Sequence, residues 1–183
     1  DLSIKIMENT SLILCGKEKK IMNEATQAVM SVLTARHIDY TLVEHIPVYT
    51  IDEMAALHLP NGDAVAKNLF VRDDKKRNYY VIVVHQEKTV NLKALRERLG
   101  TRPLSFASEA DLWNYLKLRK GAVTPIGVLN DETHTVTVVI DKVFTDDQIA
   151  VHPNDNTASL WLQTADLISL IQEHGNPVVV TDI

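Results

Sequence analysis

Ala66-Lys67-Asn68-Leu69-Phe70-Val71-Arg72-Asp73-Asp74-Lys75-Lys76-Arg77-Asn78-Tyr79-Tyr80-Val81-Ile82-Val83-Val84-His85 is the stretch on which the fold class turns. Residues 66–72 and 78–85 are rich in β-branched and aromatic side chains, and the polar run 73–77 between them reads as a connection, so the pair predicts a hairpin. Upstream, the alternation from Tyr40 to His45 predicts a strand closed by Pro47. Before it, Ala25, Ala28, Val29, Val32 and Leu33 recur at intervals of three and four, the spacing of a helix over about Asn23 to Arg36. Thr50 is a natural N-cap for a helix running to Leu57, and Pro60-Asn61-Gly62-Asp63 reads as a turn. Downstream, Asn91 to Leu99 has helical spacing and stops at Gly100, and Ser108 caps another helix. The apolar stretches Ile126 to Leu129 and Thr133 to Ile140 predict a second hairpin across Asn130-Asp131-Glu132. Strands at 149–151 and 158–162, a helix from Thr164 to Glu173 ended by Gly175, and a last strand at 177–181 complete the chain. Short helices interrupt the strands irregularly, without the βαβ alternation of a doubly wound sheet. The predicted class is α+β, with a mixed, strongly curved, barrel-like sheet and short helices around it.

The length of 183 residues suits one compact domain, and 45% apolar with 23% charged residues is ordinary globular usage. Residues 1–21 fit poorly with the pattern of the rest of the chain and are expected to be an N-terminal extension or cloning remnant, so that the domain is residues 22–183. No apolar run approaches the roughly 20 residues that span a bilayer. A single cysteine, Cys15, excludes an internal disulfide and a Cys-rich zinc site, and with no secretory signal the expected compartment is the cytoplasm. The net charge of −5 hides a strong asymmetry: residues 67–120 hold thirteen Lys/Arg against six Asp/Glu, whereas residues 121–183 hold one base, Lys142, against nine acids. A basic patch that meets phosphates is therefore compatible with an acidic chain, although a solvated face is the simpler reading of the charge alone.

No G-x-G-x-x-G or Walker loop is present, and the seven histidines (37, 45, 58, 85, 134, 152 and 174) form no H-x-H or H-E-x-x-H arrangement. No cofactor and no metal are expected. No serine lies in a nucleophile elbow, and Cys15 has no base beside it. Three local features remain. Lys67 stands at the edge of an apolar strand, where an ammonium aimed into a cleft would bind a phosphate as a point charge, though many such lysines are solvated strand ends. Gly121-Ala122-Val123-Thr124-Pro125 pairs a residue of free φ with one of fixed φ, so the groups between them could be presented rigidly; alone, the pattern is usually a turn. Val151 to Leu160 is dense in hydrogen-bonding side chains and reads, alone, as a turn held by Asn and Asp.

In this order the three features resemble the YbaK and prolyl-tRNA-synthetase-associated editing family. The resemblance runs from about Met22 to Ile183. It passes through Glu44-His45, Pro47-Val48-Tyr49-Thr50, the Ala66 to Phe70 strand, the 121–125 loop, Val138-Val139-Ile140-Asp141, and His152-Pro153-Asn154 to Ser159-Leu160. It is closest to the ProX (PrdX) branch of single-domain proteins similar to the insertion domain of bacterial prolyl-tRNA synthetases. The resemblance implies that domain's fold and hydrolysis of the ester joining a wrong amino acid, alanine first, to the terminal ribose of a mischarged proline tRNA, with association with prolyl-tRNA synthetase a further possibility. It implies that Lys67 holds the terminal nucleotide through phosphate and that Gly121 to Pro125 meets the scissile ester. Lys67, Gly121 and Pro125 thus take catalytic positions. Thr50, Asn68, Ala122, Val123, Thr124, Asp141, His152 and Ser159 take substrate-contacting ones, with His152 restricting the amino acid side chain. An activated ester needs positioning, oxyanion donors and a water more than a nucleophile, so the chemistry is compatible with residues that include neither a triad nor a metal site. A cysteinyl-tRNA deacylase, a non-catalytic tRNA-binding module, and an unrelated small-molecule-binding domain are the alternatives. Oligomeric state has no signal in the sequence.

Overall fold

A computed structural model of the chain describes residues 5–8, 23–57, 59 and 61–183. The hairpin at the centre of the sequence is its backbone: β3 (Ala66–Asp73) and β4 (Tyr79–His85) pair antiparallel, with Phe70 opposite Val81. Asp73 closes the turn. Its Oδ1 accepts from the amides of Lys75 and Arg77 at 3.1 and 2.9 Å, and its Oδ2 from the Asn78 amide group at 2.7 Å. The near-continuous apolar run of β4 follows from its position, since it is covered on both faces. Val81 and Val83 face one core with Leu116, Ile126, Val138 and Ile140, while Ile82 and Val84 face another with Leu95 and Val139.

The strands of the described residues form two sheets. One has the order β5-β3-β4-β6-β9, adding β5 (Leu104–Phe106), β6 (Val136–Asp141) and β9 (Val178–Thr181); β4, β6 and β9 run parallel, so this sheet is mixed. The other has the order β1-β2-β8-β7, from β1 (Lys5–Glu8), β2 (Tyr40–Glu44), β8 (Ala158–Gln163) and β7 (Gln148–Val151), all antiparallel. The α+β class and the mixed pairing match the expectation, but the strands divide between two sheets where one was expected, and the pairing closes neither into a barrel. An isolated bridge between Val65 and Ala150 joins the two sheets' neighbourhoods.

Among the described residues five α-helices pack around these sheets with the end signals their sequences carry. In α1 (Glu24–Ala35) the Asn23 side chain accepts from Ala25 N, and Val29 and Leu33 are buried. In α2 (Ile51–Ala56) Thr50 and Glu53 form a reciprocal capping box, repeated by Ser108 and Asp111 at α4 (Glu109–Leu116). Asn91 caps α3 (Leu92–Leu99), and Gly100 and Gly175 end α3 and α5 (Thr164–His174) in left-handed conformations.

The second predicted hairpin does not form. Residues 125–130 coil into a 3-10 helix with Pro125 in its first turn, and Gly127 N donates to Thr124 O. A Cβ on Gly127 would stand 2.5 Å from Leu118 Cδ1, so the coil packs closely against Leu118 at a position without a side chain. Asp131 then turns the chain into β6 by accepting from Thr133 N, Val136 N and Asn176 Nδ2. The expectations for the leader outside residues 5–8, and for Cys15, His58 and Pro60, lie outside the described residues. Among the described residues no helix is long and apolar enough to cross a membrane.

Candidate active site

Six of the eleven site residues expected from sequence converge on one cavity of about 290 Å³. Lys67 and Asn68 from β3 form one side, Thr50 comes from the cap of α2, Gly121 and Val123 from the loop after α4, and His152 follows β7. Val48, Tyr49, Ala66 and Leu69 complete the lining. The cavity thus sits at the seam of the two sheets, with Lys67 and the 121–123 turn facing the same hollow.

Each wall is held from behind. The Lys67 ammonium donates to the Lys88 carbonyl, which leaves donors free for an anion. The Lys88 ammonium is itself fixed by Asp141 Oδ2 at 2.6 Å and by the Ile183 carbonyl at 2.9 Å. Asp141 is buried and does not line the cavity; it acts on the site only through Lys88. The Asn68 Oδ1 is buried with no hydrogen-bond partner among the described residues, an open acceptor beside the cavity.

On the opposite side Gly121 adopts φ +88°, a conformation that favours glycine, and a Cβ there would also lie 2.7 Å from Tyr49 Cδ1. The Ala122 amide donates to Arg119 O at 3.1 Å, whereas the amides of Gly121 and Val123 have no acceptor among the described residues. Two unpaired N–H groups in a cavity wall are suited to an oxygen that becomes negative. Ala122 lines an adjacent hollow instead. Thr124 is buried and its hydroxyl donates to the His152 carbonyl at 2.7 Å, tying the loop to the His152 segment; Pro125 is buried beneath, at the start of the 3-10 helix.

His152 Nδ1 lies 2.9 Å from the Ala158 carbonyl, which can only accept, so Nδ1 carries the proton. His45 Nδ1 likewise donates to the Ile46 carbonyl at 2.7 Å, leaving its Nε2 to accept from the Ser159 hydroxyl at 2.9 Å. Ser159 is therefore buried behind His45 rather than in the cavity lining. The two rings are tilted neighbours with centroids 6.3 Å apart. Burial, above all, pushes both imidazoles below their ordinary range, with the Ile46 carbonyl opposing it for His45 and the Ala158 carbonyl for His152; His45 pushes His152 down further.

This has a sign for stability. A histidine whose folded-state pKa is lowered is proton-poor relative to the unfolded chain, so its contribution is complete above about pH 6.5 and is lost as pH falls toward the folded value. Urea midpoints should therefore decline between about pH 7 and pH 5, and a His45→Gln, His152→Gln double variant should decline less. Equal declines in variant and parent would remove the two rings from the explanation.

Tyr49, Lys88 and His45 were missed as contributors. Tyr49 had a signal, as a large ring between Pro47 and the Thr50 cap; Lys88 and His45 act through contacts distant in sequence. Among the described residues no group of three or more His, Cys, Asp or Glu converges to hold a metal.

The model of the aminoacyl-tRNA editing domain matches residues 45–170, a span containing every residue that lines the cavity. The chain belongs to the aminoacyl-tRNA editing domain family. Within this editing family it is 49% identical over 154 residues, 84% of this chain and 94% of the relative, to the prolyl-tRNA editing protein ProX of Acetoanaerobium sticklandii. It is 34% identical over 149 residues, 79% of this chain and 80% of the relative, to prolyl-tRNA synthetase associated domain-containing protein 1 of Danio rerio. The same fold occurs in a crystal structure of a proposed trans-editing enzyme for prolyl tRNA synthetase, with a TM-score of 0.67 at 18% identity over 88% of this chain and 97% of that one.

Proposed function

We propose that the protein is a free-standing trans-editing deacylase that hydrolyses the aminoacyl ester of mischarged proline tRNA, with alanine the amino acid removed. The observation that carries this reading is the cavity itself, with an ammonium on one side and two unpaired backbone donors on the other. Lys67 binds the phosphate of the terminal nucleotide. The amides of Gly121 and Val123 receive the ester carbonyl oxygen as it becomes an oxyanion. Asn68 Oδ1 accepts from the substrate's α-ammonium group. Water attacks the carbonyl carbon, the bond to the ribose oxygen breaks, and that oxygen takes a proton as the amino acid leaves. The neighbouring ribose hydroxyl orients the water and relays the proton, a role that no side chain of the cavity is needed to fill.

Size sets the choice of amino acid. His152 is anchored twice, through its ring by Ala158 and through its carbonyl by Thr124, so its edge forms a fixed limit to the cavity. Excluding a methylene or two in this way gives about 1–3 kcal/mol of discrimination, roughly 10- to 200-fold. The fold, similar to that of the prolyl-tRNA synthetase insertion domain, and a site of action in the cytoplasm beside the synthetase belong to the same reading, as does an editing domain that begins near Met22 and to which β1 adds an edge strand from the preceding segment.

The test is a deacylation panel of alanyl, cysteinyl, seryl and prolyl esters on proline tRNA, each also prepared with the terminal 2′-hydroxyl replaced by hydrogen. Alanine should be released fastest, and the deoxy substrate should be cut at least about 100-fold more slowly. Cysteine released ahead of alanine would reassign the substrate. No release from any ester would overturn the hydrolytic reading, and unchanged turnover of the deoxy substrate would overturn the proposed relay.

A further inference from the structure

A second hollow of about 300 Å³ lies beside the first, lined among others by Tyr49, Trp113, Lys117, Arg119, Lys120 and Ala122. We propose that it is a stacking site for the single-stranded RNA that leads into the ester, holding the nucleotides just before the terminal one. The inference rests on the editing reading above and adds a place for the rest of the 3′ end. The two hollows are continuous in their lining, since Tyr49 belongs to both and the successive residues Gly121 and Ala122 belong to one each.

The chemistry of the second hollow is that of an unpaired nucleic acid strand. Trp113 is 48% exposed and Tyr49 66% exposed, two aromatic surfaces that the fold leaves uncovered. The Arg119 guanidinium stands 5.7 Å from the Trp113 ring centroid, so charge and ring face are presented together. Four cations of the basic stretch are paired, Arg72 with Asp111, Lys88 with Asp141, Arg98 with Asp182 and Arg102 with Asp74, while Lys75, Lys76, Arg77, Lys93 and Arg96 have no ion pair among the described residues but do not line this hollow. Lys117, Arg119 and Lys120 have no carboxylate at ion-pair distance among the described residues. The acid in this lining, Asp155, keeps its negative charge, one against the three cations, but its oxygens are turned to the neutral donors of Asn23 and Thr157. Its Oδ2 accepts from Asn23 at 2.9 Å and its Oδ1 from the amide and hydroxyl of Thr157. Three unneutralised cations interleaved with two exposed rings match a strand whose phosphates track the charges while its bases stack. An acidic peptide would use the cations and leave the rings idle. With the terminal ribose in the first cavity, a strand passing Tyr49 enters the second directly.

The test compares two substrates of the full chain: alanylated proline tRNA, and the alanyl ester of adenosine alone, which cannot reach the second hollow. The ratio of kcat/KM for tRNA to that for the nucleoside ester should fall about tenfold in Trp113→Ala, through the tRNA's KM, and recover in Trp113→Phe, which keeps a stacking face. In Arg119→Gln, Lys120→Gln the ratio should fall likewise, and the slope of log affinity against log salt should flatten by about 1.4, the value for two phosphate contacts on a single strand. Titration with an RNA oligonucleotide ending in CCA and carrying no amino acid should quench the emission of Trp113, while Trp161, at 4% exposure, contributes a constant background. Hydrolysis of both substrates with an unchanged ratio, or quenching by an acidic peptide but not by the oligonucleotide, overturns the inference and leaves the deacylase reading in place. Hydrolysis of neither ester, with oligonucleotide quenching of Trp113 that Arg119→Gln, Lys120→Gln weakens, supports the inference and overturns the deacylase reading.

Discussion

Lys67→Ala should lower kcat/KM for alanyl proline tRNA by about 10- to 100-fold, mainly by raising KM. A hydrogen bond to a charged group is worth about 1.5–3 kcal/mol, and each 1.4 kcal/mol is a factor of ten. The internal partner of Lys67 is the Lys88 carbonyl, and Lys88 keeps its own ion pair with Asp141 when the Lys67 side chain is removed, so folding should be little affected. The salt dependence of tRNA binding should weaken by about 0.7 in slope, one single-strand phosphate contact. Steady-state deacylation at several salt concentrations separates these effects. A variant that matches the parent in KM and in salt slope would remove Lys67 from the phosphate.

Gly121→Ala should act on the other kinetic parameter. At φ +88° an added Cβ is strained wherever it points, and here it also meets the Tyr49 ring at 2.7 Å. Tyr49 is exposed and can swing, but the backbone strain persists, at about 1–2 kcal/mol for an L-residue in a left-handed conformation. Relief of that strain rotates the peptide units on both sides and carries the Gly121 and Val123 amides away from the oxyanion position. A displacement near 1 Å costs about 100-fold in rate. The loss should therefore fall on kcat, with KM close to that of the parent, and should exceed what the small drop in urea midpoint explains. Single-turnover deacylation at saturating tRNA checks this, and a kcat within threefold of the parent would show that these amides are not the oxyanion donors.

The parts of the fold that were legible in the sequence are those written locally. The hairpin from Ala66 to His85 declared itself by apolar runs around a polar turn, and Thr50 and Ser108 declared helix starts because a cap needs particular side chains at particular offsets, whereas the helices after Asn23 and Asn91 were legible from apolar spacing. The division into two sheets was not legible. It depends on Leu42 of β2 lying opposite Leu160 of β8, a pairing between distant segments that no local pattern encodes. The stretch after Thr124 was misread because four apolar residues fit a strand and a tight helix equally; Pro125 in the first turn was the signal to weigh. β5 was missed because three residues carry too little pattern.

The candidate site shows the same division. Lys67, Asn68, Thr50, Gly121, Val123 and His152 share a cavity and could be singled out by position in a motif. Ala122, Thr124, Pro125, Asp141 and Ser159 stand outside that lining, and what each one touches is set by tertiary packing. The link from Asp141 through Lys88 to Lys67, and that from Ser159 through His45 to the neighbourhood of His152, exist only once distant strands are brought together.

The seam between the sheets has a consequence for how substrate preference can change. Ala64, Val65 and Ala150 are buried together around the Val65–Ala150 bridge, and none of them borders the hollow where the ester would sit. One extra methyl group at any of them would wedge the docked layers apart and alter the room beside His152 while every substrate-contacting side chain stayed the same. Descendants of this chain could thus drift from one amino acid to another with an intact motif, and tolerance for bulk would be inherited through spacer residues that comparison of active-site signatures overlooks.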